Sequence, residues 1–451
     1  MLEYEKYRTK RYLHFDHRVR IEKVEAYITE EKKIGLHSFL PFIHYVSAFD
    51  KNIGEKNPDM EYRPIKQKTR DIMYSGHLDN FIYKYYADEI LNKEYNNFIS
   101  KNIDECVTAY RSNANKKGKS NIDFAAEIIN EIVDCKESYI LVGDFTGFFD
   151  KINHKLLKVN LMKVLDVQRL ENDWFNVYKS ITRYGYYEKT LLTEKFGTDK
   201  QIKRSRKYSY FNQLKEFRIF QREYPTKKNE NKFGIPQGTA ISAVFANVYA
   251  LEFDLLMKRL ADRYSGLYRR YSDDFILVLP RKQEQQMLSD EKFKKIEIKV
   301  RELAYENKIE IQEEKTGIFK YSNSKVVNLN DQKLTHIDYL GFIFDGKTVE
   351  MRGKSPYKFY RKAYQIIDKA KRVKDKKSLK RLPYRKKIYS LYTDLGINRE
   401  EFGNFITYAK RAQEKFDKIS PRTKNMMMKQ IKHRKKKIEK RLGVKIHTKT
   451  F

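Results

Sequence analysis

Arg270-Tyr-Ser-Asp-Asp-Phe-Ile-Leu-Val-Leu279 is the stretch on which the fold of this chain turns. Its second half is β-branched and aliphatic, which predicts a strand, and Tyr271-Ser-Asp-Asp274 predicts the tight turn of a β-hairpin. Adjacent carboxylates repel each other. A rigid turn that holds Asp273 and Asp274 together makes chemical sense when a cation lies between them and a substrate. The plainer alternative is an Asp-Asp pair in a solvated turn or N-cap, and two upstream segments argue against it.

Tyr139-Ile-Leu-Val-Gly-Asp144 is an apolar run that reads as a buried strand delivering Asp144 at its C-terminal end. Gly234-Ile-Pro-Gln-Gly-Thr-Ala-Ile-Ser242 is a Gly/Pro-shaped loop feeding a long helical pattern up to Asp254, with Thr239 or Ser242 near the cap. Taken singly, these are a strand-end turn and an ordinary connection. Three such segments in this order and separation are hard to obtain by chance.

The order strand-Asp, Gly-Ile-Pro-Gln-Gly, Tyr-x-Asp-Asp resembles the palm of a reverse transcriptase. Gln312-Glu-Glu-Lys-Thr316 resembles the lysine-bearing motif after the catalytic hairpin, and Tyr339-Leu-Gly-Phe342 resembles the primer grip. Arg63-Pro-Ile-Lys-Gln-Lys-Thr-Arg70, His77 to Tyr86, and Tyr110-Arg111 with the lysines that follow resemble the fingers of bacterial enzymes. Arg11-Tyr-Leu-His-Phe-Asp16, His37-Ser-Phe-Leu-Pro-Phe42 and Asn404-Phe-Ile-Thr-Tyr-Ala409 resemble the abortive-infection and "unknown group" defence-associated reverse transcriptases of bacteria, relatives of retron and group II intron enzymes.

The resemblance implies an α+β right-hand polymerase fold of fingers, palm and thumb with a helical, basic C-terminal region. The expected organisation is an N-terminal helical extension over 1–60, fingers over 61–137, a palm over 138–346, and a helical basic thumb or nucleic-acid-binding region over 347–451. Residues up to about 140 read mostly helical. The 93 positions between Asp144 and Gln237 exceed what a strand-helix crossover needs, so about 176–232 reads as an insertion. That insertion is basic and interleaved with tyrosine, a composition that suits stacking on bases and contact with phosphates; the alternative is a basic loop with its tyrosines in the core.

Composition points the same way. The 451 residues carry 94 Lys and Arg against 60 Asp and Glu, a net charge of +34, and a chain this basic needs a polyanionic partner. Nucleic acid is the expected one. No uninterrupted apolar stretch is long enough to span a bilayer, and the start lacks the apolar core of a signal peptide, so a cytoplasmic protein with no membrane partner is expected. Cys106 and Cys135 have neither metal spacing nor a disulfide framework. The twelve Lys and Arg between Pro421 and Thr450, against the single acid Glu439, suit phosphate contact.

The family's chemistry is in-line displacement at an α-phosphate assisted by two Mg²⁺ ions, with Mn²⁺ as a substitute. The resemblance implies that Asp144 and Asp273 bridge the ions, that Asp274 is the outer carboxylate, and that the Phe145 carbonyl completes a coordination sphere. Phe149 is the expected steric gate against a 2′-hydroxyl. Gln237 and Gly238 frame the dNTP, Arg111 and Arg70 neutralise its triphosphate, and Lys315 supplies charge or a proton to pyrophosphate. Tyr271, Tyr339, Leu340 and Gly341, with Lys358, Arg361, Arg434 and Lys435, are expected at primer and template.

The leading function is thus an RNA-directed DNA polymerase of antiphage defence, copying a partner noncoding RNA into DNA. Untemplated or protein-primed synthesis is the second reading, and a catalytically silent RNA-binding scaffold the third. Oligomeric state is left open, a homo-oligomer included.

Overall fold

The computed structural model describes residues 2–52, 65–111, 119–282, 287–397 and 403–446. The boundary expected near residue 60, Arg63 and Pro64, Lys116 and Lys117 after Arg111, and the last five residues lie outside them. Three sheets and the helices between them make up the described residues.

Strands β1 (Phe42–Asn52) and β2 (Ile65–Tyr74) pair antiparallel, Ile43 opposite Tyr74 and Asn52 opposite Ile65. β3 (Ser138–Asp144) begins the central sheet, while β4 (Gly185–Glu188) and β5 (Lys227–Lys228) return to the first, giving the order β2-β1-β4-β5. The N-terminal 140 residues, expected to be mostly helical, therefore carry a long two-stranded ribbon. Its sequence signal is weak because Phe42 and Ile43 are buried while Tyr45 and Val46 are both exposed, so no clean alternation marks it. The residues before β1 pack into the core, where Tyr7, Ile21, Ile28 and Ile34 meet Phe81 and Tyr83.

In the central sheet β3 is joined by β6 (Leu267–Tyr271), β7 (Asp274–Pro280), β8 (Gly317–Ser322) and β9 (Lys325–Asn328) in the antiparallel order β6-β7-β3-β8-β9. Alternation along the strands feeds two cores. Tyr139, Leu141, Phe275, Leu277 and Leu279 join the core built around the helices Ala240–Tyr249 and Leu251–Arg263. Ile140, Ile276 and Val278 join one built with the helices Asn121–Asp134 and Phe405–Ile419. A sheet covered on both faces needs apolar residues at every position, which is why these strands read as unbroken apolar runs. Gly143 is required by this packing, since a Cβ there would lie 2.3 Å from the Phe275 ring.

The third sheet orders β10 (Ile337–Tyr339), β11 (Phe342–Phe344), β12 (Thr348–Met351) and β13 (Lys424–Asn425), the last pair parallel with Thr348 opposite Lys424. The helical region expected from 347 thus begins later, at Lys354, because Thr348–Met351 first adds a strand. The helix Lys354–Lys376 then packs Ala363, Ile367 and Ala370 against Ile388, Ile438 and Leu442 of later helices.

The segment 176–232 closes a small aromatic core of its own, in which Tyr187, Tyr210, Phe211, Phe217 and Phe220 meet Leu13, Phe15 and Ile43. Two of its tyrosines, Tyr187 and Tyr210, are therefore core residues and are not available to bases. Among the described residues no single helix is long and apolar enough to cross a membrane; the bent pair Ala240–Tyr249 and Leu251–Arg263 passes by length and composition, and much of it is buried in the core. Both cysteines are free, and burial pushes the Cys106 thiol up to about 12 and Cys135 to about 11, so neither is a reactive thiolate.

Candidate active site

The hairpin quoted at the outset places the carboxylates. Asp274 opens β7 directly opposite Asp144 at the end of β3, and Ser272 and Asp273 form the two-residue turn closed by Tyr271 and Asp274. Ser272 sits in the left-handed region at φ +61°, which costs a non-glycine residue about 1–2 kcal/mol. The turn is held from three sides. The Asp273 carbonyl accepts from the Phe145 N–H at 3.0 Å, the Ser272 carbonyl accepts from Arg270 Nη1 at 2.9 Å, and Ser272 Oγ donates to the Tyr110 hydroxyl at 3.0 Å.

Arg270 itself is fully buried. Its Nε and Nη2 donate to the two oxygens of Asp254 at 2.8 and 2.6 Å, Nη1 also reaches Asn247 Oδ1 at 3.2 Å, and Tyr268 donates to Asp254 at 2.8 Å. Asn247 in turn donates to the Ala109 carbonyl at 2.9 Å. The sequence reading passed over Arg270, Asp254 and Asn247. Their signal was an arginine in a strand bound for the core, and an Asn and an Asp on an otherwise apolar helical run. Buried polar groups of this kind need each other.

Asp144 and Asp274 share the sheet face that carries Ile140 and Ile276, since side chains two apart point the same way. Burial, and then the charges of Asp273 and Asp144, push the Asp274 carboxyl up to about 7, against the pull of Arg352 and Lys315. The Lys315 ammonium is bonded to Asp144 Oδ2. Lys315 ends the turn Glu313–Lys315, and the preceding Gln312 donates its N–H to the Asp144 carbonyl at 2.8 Å. The bonds joining this strand end to residues 310–312 use the Asp144 carbonyl and the Thr146 N–H and pass over the Phe145 carbonyl.

Among the described residues no three His, Cys, Asp or Glu side chains form a ready-made metal cage. Mg²⁺ seldom needs one: it binds through one or two carboxylates and completes its shell with water and substrate phosphate. The repulsion that raises Asp274 is the feature a cation would relieve. Asp144 and Asp274, with Asp273 in the turn, are the side chains that could hold it.

The Gly234–Ser242 segment is zipped to β2. The Met73 N–H donates to the Gln237 carbonyl at 2.9 Å, and Gly238, at φ +129°, lies so close that a Cβ would be 2.4 Å from the Met73 carbonyl oxygen. Thr239 caps the following helix, its Oγ1 accepting from the Ser242 N–H at 3.2 Å. Phe149, half-buried beside Phe148, accepts from the Ile235 N–H at 3.0 Å through its carbonyl, a backbone bond that ties this segment to the loop.

The β10–β11 connection is a two-residue turn with Leu340 at φ +47° and Gly341 at +93°. Nothing lies within 4 Å of where a Gly341 Cβ would stand, so the turn presents open backbone. Tyr339 is buried beneath it and its hydroxyl has no hydrogen-bond partner among the described residues; burial, then the Asp274 charge, pushes that hydroxyl's pKa up. Tyr271 is half-buried and packs on Phe124.

The expected cations divide. Arg70 is exposed on β2, Lys358 and Lys435 are exposed, and Arg361 is half-buried. Arg111, the expected triphosphate ligand, is largely engaged within the protein. Its side chain is only 6% exposed and donates to Asn96 Oδ1, to the Asp104 and Val107 carbonyls and to Asp104 Oδ1, leaving one guanidinium N–H beyond these bonds. Arg434 pairs with Asp394 at 2.6 Å and with the Ile431 carbonyl.

No family model and no curated protein matches this chain. Solved structures that align with it include telomerase from Candida albicans in complex with a TWJ fragment of telomeric RNA, at 14% identity and TM-score 0.41, covering 94% of this chain and 66% of that one. Telomerase from Candida tropicalis in complex with the same kind of fragment aligns at 13% identity and TM-score 0.40, over 93% of this chain and 65% of that one. A truncated apo form of the Candida tropicalis protein aligns at 14% identity and TM-score 0.38, over 62% and 52%. The chain therefore spans between about half and two thirds of the length of these proteins. Likeness at this level carries no argument about fold or activity.

Proposed function

We propose that this chain is an RNA-directed DNA polymerase of right-hand architecture, with the central sheet as palm, β1–β2 in the fingers, and the basic helices after Lys354 as thumb. The observation that carries the proposal is the register pairing of Asp144 with Asp274, with Asp273 in the intervening turn, at the end of a sheet buried on both faces. That placement fixes three carboxylates on a rigid frame, as phosphoryl transfer demands.

Bound Mg²⁺, or Mn²⁺ in its place, would supply charge stabilisation to the attacking and leaving oxygens. The protein's own residues do the remainder. Asp144, Asp273 and Asp274 would hold the cations, with the Phe145 carbonyl as a further ligand. Lys315, already on Asp144, swings to the departing pyrophosphate. Phe149 crowds a 2′-hydroxyl and favours dNTPs. The backbone of Gln237 and Gly238 meets the incoming nucleotide, and Tyr271 and the open turn of Leu340 and Gly341 over Tyr339 place the primer end.

RNA as template is supported by the net charge of +34 and by the resemblance of the motifs. The defence role is supported by the terminal motifs, and in the fold these do structural work. Asp16 accepts from the Leu78 N–H at 3.1 Å, His37 bonds Asp79 at 2.8 Å, and Asn404 caps the helix Phe405–Ile419 through the Ile406 and Thr407 N–H groups. They mark an architecture, and phage restriction has to be tested separately.

The deciding assay adds Mg²⁺ and labelled nucleotides, singly and mixed, to protein purified with its bound nucleic acid, with and without RNase, beside an Asp273→Asn/Asp274→Asn control. Labelled DNA that requires mixed dNTPs and is lost with RNase or the double substitution is the expected result. A product from one dNTP that survives RNase and stays on the denatured protein would replace it with protein-primed, untemplated synthesis. No incorporation under any condition would leave an RNA-binding scaffold.

A further inference from the structure

A cleft of about 390 Å³ lies away from the carboxylates, between the segment Ser38–Phe42, the C-terminal end of the helix Asn172–Thr182, and the helix Leu214–Glu223. Its side chains have an unusual sorting. Arg183, Arg218 and Lys228 come to it from three different elements, all three are exposed, and none makes an ion pair among the described residues. No carboxylate lines it. Phe39 and Tyr184, both half-buried, give it aromatic surface, and Ser38, Gln221 and Thr226 give it hydroxyl and amide groups. With no acid beside them, these three cations give the partly aromatic cleft a positive field that suits an anionic occupant.

We infer that this cleft is a second binding site, one that takes a single-stranded segment of RNA. Cations from separate elements with aromatic surface between them are the arrangement that grips phosphates and stacks bases. A cleft of this volume accepts a nucleotide or two of a single strand and excludes a duplex. Polar groups beside the cations provide partners for 2′-hydroxyls, which favours RNA over DNA. The cleft is also wired to the nucleotide-framing loop. Asn229 donates from its backbone to the Tyr184 carbonyl at 2.9 Å, and from its side chain to the Thr182 carbonyl at 3.0 Å and the Gly234 carbonyl at 3.3 Å. A strand held on Arg183 is therefore held next to the Gly234 loop. Binding here does not depend on the polymerase reading.

The test is fluorescence anisotropy with a short labelled oligouridylate across a salt series. It compares wild type, Arg183→Ala/Arg218→Ala/Lys228→Ala, and a charge-matched control, Lys294→Ala/Lys295→Ala/Lys299→Ala, on the helix Asp290–Glu306. Loss of about tenfold or more in affinity in the cleft variant, with a log–log salt slope shallower by about 2 for three lost phosphate contacts, is expected, against a change within about twofold in the control. Equal losses in the two variants, or none in the cleft variant, would overturn the site, and equal affinity for the matching deoxy-oligomer would overturn the choice of RNA. Photocrosslinking of 4-thiouridine RNA to wild-type protein gives a check free of folding effects: adducts on peptides containing Phe39 or Tyr184 are expected, and their absence counts against the cleft. Because the readout is RNA binding without metal or nucleotides, a failure of the polymerase reading leaves this result distinguishable.

Discussion

Asp254 grips Arg270 with both carboxylate oxygens, at 2.8 and 2.6 Å, and neither side chain is exposed to solvent. The same guanidinium holds the Ser272 carbonyl, so a wholly buried ion pair determines where the Ser272–Asp273 turn sits. Removing one partner leaves an uncompensated buried charge. Asp254→Ala is expected to lose about 3–5 kcal/mol in urea denaturation, whereas Asp254→Leu/Arg270→Met recovers most of that stability. Incorporation should stay low in the double variant, because the Ser272 carbonyl loses its anchor.

Asp274 gives a pH signature with a definite sign. Its carboxyl is pushed up to about 7 in the folded protein from the ordinary 3.8 of an unfolded aspartate, so between these values the folded state keeps a proton that the unfolded state has released. Its contribution to stability is fully present below about 4 and is lost as pH rises through about 7. Metal-free wild type should therefore lose melting temperature over that window relative to Asp274→Asn. Since a bound cation competes with this proton, Mn²⁺ affinity measured by calorimetry should climb with pH up to about 7 and then level off. A Mn²⁺ affinity independent of pH would contradict the placement of Asp274.

Gly238→Ala drives a Cβ toward the Met73 carbonyl at a backbone conformation that disfavours side chains. A cost of about 1–3 kcal/mol is expected, together with a raised KM for dNTPs as the loop parts from β2. Hydrogen exchange at the Met73 amide, which donates to Gln237, should accelerate in the same variant.

Phe149→Ala removes the ring that packs on Phe148 while leaving the backbone bond to Ile235 intact. The ratio of ribonucleotide to deoxynucleotide incorporation should rise by about tenfold or more, corresponding to about 1.4 kcal/mol of lost discrimination. An unchanged ratio would make Phe149 a packing residue only.

The parts of this molecule legible in its sequence are those where one constraint overrides the others. β3 and β7 are covered on both faces, so each carries an unbroken apolar run, with a carboxylate at the end of β3 and at the start of β7. The Gly238 loop is shaped by a close approach that a side chain would block. The ribbon β1–β2 was not legible, since most of its length is held by backbone pairing that leaves little side-chain pattern. Arg111 was legible as a cation and not as a clamp, because its partners Asn96 and Asp104 are set by the local fold and not by any motif. Asp254 and Arg270 each look anomalous alone, and their pairing appears only when the helix and strand meet.

β13 is two residues long, yet it alters how the molecule transmits force. Lys424 and Asn425 hydrogen-bond alongside Thr348 and Val349, and the sheet continues through β11 to the turn over Tyr339. The basic helix Arg434–Leu442 follows only a few residues later. A load on that helix is thus passed strand by strand toward the open turn of Leu340 and Gly341.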